Sequence, residues 1–510
     1  MEQSANNKRI AKNTLMLYVR LFLLMGVSFY MSRVVLQILG VEDLGIYNVV
    51  GGIVTMMSFM NSSLNITTQR FMNYEMGKGH TENLSKVFSM SFWSYAIIAV
   101  IVLVICETIG LWFFYNYLNI PSNRLDAAFW VYQFSVISFV VNLLTVPYTS
   151  TIIAHERMSI YAYISIGDAM LKLVLVFALK YINYDKLWLY GFMMLLVVLF
   201  VWLCNWIYCR HHFSETKLRL MWDGVMFKKL LSFSSWNALG AVANSVESQG
   251  VNILINIFFN STLNGARAIA YQVRVAVNSF SANFLMAVRP QLFKSYAEGR
   301  HDYMYKLVFS STKFSIYLLL VFILPLLFNT EYVLKLWLGE VTPQMVTFTQ
   351  LVLVGIPLTT CFPVLANVSQ ATGRIKWYQI GASSMLLMIP ISTYILFKCG
   401  FAVEWAFRLT SVWDAIGIAV RLFILKKDLQ FPVIKYLKKV VIPVLLITAI
   451  DVLLMYYPLS VMSLTGWKFL IISSGGIVLI LLVLIWIMGL DSYEKRLITS
   501  YVQKMLFHKK

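Results

Sequence analysis

Apolar stretches long enough to cross a bilayer, which takes about 20 residues in a helix, recur fourteen times along this 510-residue chain. They predict helices over 13–38, 45–69, 87–115, 127–152, 160–181, 187–209, 230–257, 266–290, 307–328, 344–369, 377–398, 402–424, 439–457 and 467–489. The expected fold class is therefore all-α integral membrane, with about 14 transmembrane helices. Connections are short on both sides, which leaves no room for a soluble catalytic domain. Whatever chemistry the chain performs belongs inside the helix bundle.

Composition supports that reading, with 59% hydrophobic and only 13% charged residues, against about 25% charged in soluble domains. The formal charge of +19 raises nucleic acid as a partner, but most of the basic residues flank apolar segments on one side. Of 42 Lys and Arg, 28 fall in alternate connections and the tail, among them Lys8, Arg70, Arg157, Lys217, Arg289, Arg374 and Lys435. The opposite connections hold seven: Arg124, Lys180, Lys186, Arg267, Lys335, Lys398 and Lys468. Basic loops stay in the cytoplasm, so both termini are expected there, and nucleic-acid binding is excluded. The first apolar stretch lacks a small-residue cleavage site, so it reads as a transmembrane helix and not a removed signal peptide.

Little else in the sequence carries reactive chemistry. The five Cys are scattered and form no CxxC pair, so they read as small core hydrophobes. His211 and His212 have only Glu215 nearby and read as a solvated turn; no metal site is expected. The sequons at Asn61 and Asn65 lie inside a predicted helix, and no Walker A pattern occurs.

Two internal echoes point to duplication. Asn73-Tyr74-Glu75-Met76-Gly77-Lys78 matches Ser295-Tyr296-Ala297-Glu298-Gly299-Arg300, and Pro147 through Arg157 matches Pro363 through Arg374. Order, offset and helix parity agree between the two. The division expected is 1–215 for a first lobe of six helices, 216–430 for a second in the same orientation, and 431–510 for an appended helix pair and tail.

Seven basic residues lie within the spans: Arg20, Arg33, Lys172, Arg274, Lys313, Arg408 and Arg421. Fewer acids accompany them, chiefly Glu107, Asp168, Glu247, Asp414 and Asp451. A charge near the bilayer centre costs about 2.5–3.5 kcal/mol on insertion scales, so it faces protein or water and marks a pathway. Surplus positive charge there predicts an anionic cargo.

Several stretches together resemble the multidrug/oligosaccharidyl-lipid/polysaccharide (MOP) exporter superfamily, and within it the O-antigen and capsule flippases of Wzx type. They are Leu39-Gly40 through Gly45-Ile46-Tyr47-Asn48; Thr67-Thr68-Gln69-Arg70-Phe71 with Gly77-Lys78-Gly79; Val288-Arg289-Pro290-Gln291-Leu292 with Tyr296 and Glu298-Gly299; Val146-Pro147-Tyr148 leading to His155-Glu156-Arg157; and Ala371-Thr372-Gly373-Arg374. The resemblance covers nearly the whole chain. It implies two six-helix lobes around a central cavity that opens alternately to each side. It also implies a bacterial inner-membrane location and an undecaprenyl-diphosphate-linked oligosaccharide as cargo. A polysaccharide polymerase and glycosyltransferases of the same pathway are the partners to expect.

The substrate-binding candidates are Arg20, Arg274, Lys172, Arg33, Lys313 and Arg408. Guanidinium forks suit a diphosphate because they offer paired donors and stay charged. Local alternatives stand beside several of them. Arg33 and Lys313 are placed to snorkel to an interface, Lys172 follows Asp168 by one turn, and Asp414 and Arg421 share a face of one helix. The helix over 230–257 is unusually polar, carrying Asn237, Asn244, Ser245, Glu247, Ser248, Gln249, Asn252 and Asn256. Glu247 and Asp414 are the candidates for coupling to Na⁺ or H⁺, the only cofactor expected. The competing functions are a MATE-type cation-coupled drug exporter, which calls for an acidic cavity, and a glycan polymerase or ligase, which calls for a large outer loop. A transporter without covalent catalysis fits best.

Overall fold

The computed structural model describes residues 2–55, 59–117, 120–219, 222–259, 261–461, 466–492, 494–496 and 499. Among the described residues the chain is all-helical, without strands. The elements are α1 (Glu2–Thr55), α2 (Phe59–Gly77), α3 (Thr81–Ile105), α4 (Leu111–Tyr117), α5 (Leu125–Ala154), α6 (Met158–Leu179), α7 (Lys186–His212), α8 (Gly224–Phe258) and α9 (Ser261–Ala297). They continue with α10 (His301–Phe328), α11 (Thr330–Leu338), α12 (Pro343–Thr372), α13 (Lys376–Lys398), α14 (Glu404–Leu429), α15 (Val433–Tyr436), α16 (Ile442–Val461) and α17 (Gly466–Leu484). Eight helices among the described residues are long and apolar enough to cross a membrane, and the chain is a multi-pass membrane protein.

Several predicted breaks take unexpected forms. The first predicted span and the start of the second run through one long helix, α1, broken at Gly40, where φ is 77°; the rest of the second lies in α2. Glycine has no Cβ to clash in that left-handed conformation, so it can turn the chain without a loop. The third span is α3 and α4 joined by a π turn at Cys106–Gly110, whose loosened carbonyl at Cys106 accepts from the Tyr132 hydroxyl at 2.7 Å.

Contacts group the chain into two compact units. The first holds residues 1–242, 286–301 and 370–375; the second holds 243–285, 302–369 and 376–510. In the first unit α5 is the central helix, packed most extensively on α7 and also on α2 and α3. Its inward stripe, Val131, Tyr132, Val136 and Leu143, meets Val50, Tyr95 and Leu187 in a core of residues at most 1% exposed. Arg124 bonds Asp43 just past the α1 bend and Asp185 at the start of α7. Asp185 also caps α7 by accepting from the Trp188 amide at 2.9 Å, satisfying one of the free N–H groups of a first helical turn.

In the second unit α13 packs on α14, over a core that includes Phe348, Ile389, Phe397 and Phe407. The appended pair α16–α17 is tied to α10 at two levels. Lys313 donates to the Glu494 carboxylate at 2.7 Å and to the Gly489 carbonyl at 3.1 Å, and Asn329 bonds Ser473 at 3.1 Å. Between those levels the buried stripe is Ile477 and Leu481 of α17 and Ile485 of the π turn that follows it. On the facing stripe of α16, Asp451 is fully buried, and neither carboxylate oxygen has a hydrogen-bond partner.

The duplicated turns are recognisable in backbone conformation. Gly79 and Gly299 both lie at positive φ, 74° and 75°. The amides of Gly79 and His80 bond Met76 and Glu75, just as those of Gly299 and Arg300 bond Tyr296 and Ser295. This fixes the correspondence as Gly79 with Gly299, two residues from the alignment read in sequence, because the left-handed residue defines the turn. Glu156 and Gly373 are likewise both left-handed, at 58° and 77°.

Candidate functional site

The second unit holds a buried polar cluster built from α8, α9, α12, α13 and α14. Helix α8 contributes Glu247, 4% exposed. From the start of α9, Arg267, also 4% exposed, donates to the Ser248 carbonyl at 3.0 Å and to Asn252 Oδ1 at 3.2 Å. The amide-rich stretch of α8 thus supplies oxygens to a guanidinium that burial would otherwise leave unsolvated.

Positions 267, 271 and 274 fall at i, i+4 and i+7, on one face of α9. Arg267 lies 4.1 Å from the Tyr271 ring centroid and Arg274 lies 5.3 Å from it, so the aromatic ring separates two cations. Such stacking holds a guanidinium in place by the ring quadrupole. Arg274 is an electrostatic neighbour of both Glu247 and Asp414, and Arg267 of Glu247. Asp414 and Arg421 extend from α14, 5% and 4% exposed, and interact with each other. Arg421 lies 3.7 Å over the Phe362 ring and is an electrostatic neighbour of Tyr378. A Cβ on Gly417 would come within 2.7 Å of its Nη1, so the missing side chain makes room for the guanidinium.

Three arginines therefore surround two carboxylates, and the cluster keeps one positive charge with both acids ionised. It can hold an anion at its guanidinium forks. Its two carboxylates, close enough to sense one another, can also bind a cation or a proton if Arg274 moves away.

The sequence candidates divide on this frame. Arg274, Glu247 and Asp414 come together in the cluster. Arg20, in the first unit, is half-buried, with its Nη2 3.4 Å from the Tyr161 hydroxyl and its guanidinium 4.6 Å from that ring. Lys172 bonds Asp168 one turn away at 2.9 Å, and Lys313 spends its charge on Glu494. Arg408 is exposed and stacks on Trp405 at 5.3 Å. The side chain of Arg33 lies outside the described residues.

Arg267 is the group that sequence reasoning misses. Hydropathy starts the predicted helix at 266, so Arg267 sits at its outer edge and is counted with the outer connections, whereas α9 begins at Ser261 and carries Arg267 well inside. The signal available in the sequence is its spacing from Tyr271 and Arg274.

No protein-family model matches the sequence, and no curated protein matches it. Solved structures do match in fold. The crystal structure of a MATE in the straight conformation superposes with a TM-score of 0.71 at 12% identity, over 82% of this chain and 95% of that one. A MATE in the bent conformation gives 0.70 at 13%, over 82% and 94%. A MOP superfamily transporter from Pyrococcus furiosus, described as having a binding pocket whose reverse polarity suggests a different function, gives 0.68 at 12%, over 81% and 95%. The chain has a MATE/MOP-like fold.

Proposed function

We propose that this MATE/MOP-like chain is a flippase. It moves polyprenyl-diphosphate-linked oligosaccharide, the repeat unit of an O-antigen or capsule, from the inner to the outer leaflet of a bacterial inner membrane. The observation that supports this reading is the arginine excess of the intramembrane cluster: Arg267, Arg274 and Arg421 around Glu247 and Asp414. Arg274, less buried than its neighbours, is the guanidinium positioned to exchange a carboxylate for a diphosphate oxygen. Arg20, braced by Tyr161, is proposed as a second anion contact in the other unit. The basic face is the cytoplasmic one in this reading, and both termini lie there.

The transport step is conformational and breaks no covalent bond. In the resting cluster Arg274 is neutralised by Glu247 and Asp414. A diphosphate that takes Arg274 releases those two carboxylates, which then accept H⁺ or Na⁺, and this exchange links cargo to a coupling ion. Outward movement of an anion is also favoured by an inside-negative potential, by about 2.3 kcal/mol per charge per 100 mV.

A MATE-type exporter of cationic small molecules is the second reading, favoured by the two acids in the same cluster. The Pyrococcus furiosus transporter is described by the reversed polarity of its pocket, so the sign of the surplus charge is the discriminating feature. The test is transport in vesicles containing the purified protein. One arm follows a fluorescent short-chain polyprenyl-diphosphate glycan by its protection from an external quencher, and the other follows a fluorescent organic cation. The flippase reading requires movement of the glycan lipid and its loss in Arg274→Ala. Movement of the organic cation alone would establish the exporter instead.

A further inference from the structure

On the basic side of the first unit, segments far apart in sequence are joined by a set of buried contacts. The α5–α6 turn meets the end of α9. There Glu156, whose side chain is 1% exposed, accepts from Gln291 Nε2 at 2.7 Å and from Lys294 Nζ at 3.1 Å. Its backbone carbonyl accepts from Asn13 of α1 at 3.3 Å. The α12–α13 turn meets the end of α2, where the Arg70 guanidinium packs against Gly373 so closely that a Cβ there would sit 2.5 Å from Nη2.

The two ends, α2 and α9, also touch directly. A Cβ on Gly77 would fall 2.6 Å from that of Ala297 and 2.7 Å from the Lys294 carbonyl. Beside them Ser63 donates to the Ser234 carbonyl at 2.7 Å, and Gln370 donates to Asn237 at 3.0 Å. These contacts are why residues 286–301 and 370–375 group with the first unit.

The arrangement is a cross-clasp between repeats: each half's turn grips the other half's helix end. Its two grips differ in chemistry. At the corresponding left-handed position one turn carries Gly373 and the other carries Glu156. A glutamate in that conformation is strained, and glycine would relieve the strain. The repeat shows that glycine serves the turn, so the carboxylate is kept for what it binds.

We propose that Glu156, held by Lys294 and Gln291, is a releasable ion-pair latch that locks the basic ends of the two repeats together. The state described here is the latched one. This deepens the flippase reading, in which the latched face is cytoplasmic and must part for cargo to enter. Lys294 is 19% exposed while Glu156 is sealed, so the lysine is the partner that an arriving anion reaches first. A phosphate-bearing headgroup that captures Lys294 removes one of the groups that hold the buried Glu156 carboxylate, which favours parting of the two ends.

The test reads opening without cargo. Ser295, fully buried on α9 one residue from Lys294, is replaced by Cys in the full-length purified protein. Its labelling by a water-soluble maleimide is then timed, with native buried Cys209 as the reporter of global unfolding. Glu156→Gln removes the charge. Glu156→Gly removes the carboxylate while relaxing the turn, and Cys209 reports any loss of fold in either variant.

Both variants are expected to accelerate labelling of the Ser295→Cys thiol about tenfold or more, since opening is limited by a buried pair, with Cys209 unchanged. Unchanged labelling in both variants overturns the latch. Equal acceleration at Cys209 also overturns it, because the pair would then support the whole fold and not one face. Acceleration in a protein that moves no glycan lipid leaves the latch standing and removes only the proposed cargo.

Discussion

Replacing Arg267 with Met tests whether the amide-rich stretch of α8 exists to hold a cation beside Glu247. The change keeps the length of the stem but deletes the charge, the donors to the Ser248 carbonyl and Asn252 Oδ1, and the stack on Tyr271. Hydrogen bonds to charged groups contribute about 1.5–3 kcal/mol each in water-soluble proteins, though inter-helix bonds in membranes average only about 0.6. The buried stack adds about 1–2 kcal/mol. Arg267 is 4% exposed, so solvent offers little relief. The two bonds and the stack bracket the loss between about 2 and 8 kcal/mol, and the loss of about 3–5 kcal/mol expected when one partner of a buried pair is removed falls inside that bracket.

Part of that loss is the cost of leaving Glu247 near a single cation, Arg274, and is recoverable. Glu247→Gln in the Arg267→Met background is expected to restore about 1–2 kcal/mol, a clear coupling in a double-mutant cycle. The assay is thermal unfolding in detergent of the four proteins of the cycle. Wild-type stability in Arg267→Met, or strictly additive single changes, would refute the assignment of Arg267 as the counter-ion of Glu247.

Other expectations follow from the same contacts. Gly373→Ala should cost about 1–3 kcal/mol, from positive φ and from collision with Arg70, read as a lowered unfolding midpoint. Lys313→Met should leave Glu494 without its cation and raise hydrogen exchange at 485–495 while sparing α5; unchanged exchange there would remove Lys313 as the anchor of the appended pair. Asp451→Asn should be tolerated without loss of stability, since it removes a carboxylate that has no partner in an apolar seam; a large drop in unfolding temperature would contradict that description. One pH effect follows from Glu215, outside the spans. Burial, the largest single influence, opposes its ionisation, but the hydrogen bond with His155 at 2.5 Å, a backbone hydrogen bond and the attraction of His155 together outweigh it and hold the carboxyl below its usual range. A depressed carboxyl stabilises the folded state above its unfolded pKa and loses that contribution as pH falls. Stability should therefore drop on acidification below about pH 4.5, the ordinary glutamate range, and less so in Glu215→Gln.

The sequence alone determined the class of fold, because bilayer solvation leaves an isolated apolar run of about 20 residues no alternative to a helix. It also revealed the asymmetry of basic residues and the repeated turns, since both are written in residue identity and order. Glu247, Arg274 and Asp414 were legible as a buried charge problem for the same reason: a charge within a span is costly wherever the span packs.

What answered each charge was decided by packing. Lys313 met Glu494 from a tail 181 residues away, and Arg267 belongs to a buried network and not to a loop because α9 starts earlier than hydropathy indicates. Glu156 reads as part of a polar turn until the fold brings Lys294 to it across 138 residues. Hydropathy sums local solvation along the chain, whereas the partner of a buried charge is fixed by which helix faces abut. Only the tertiary structure contains that second quantity.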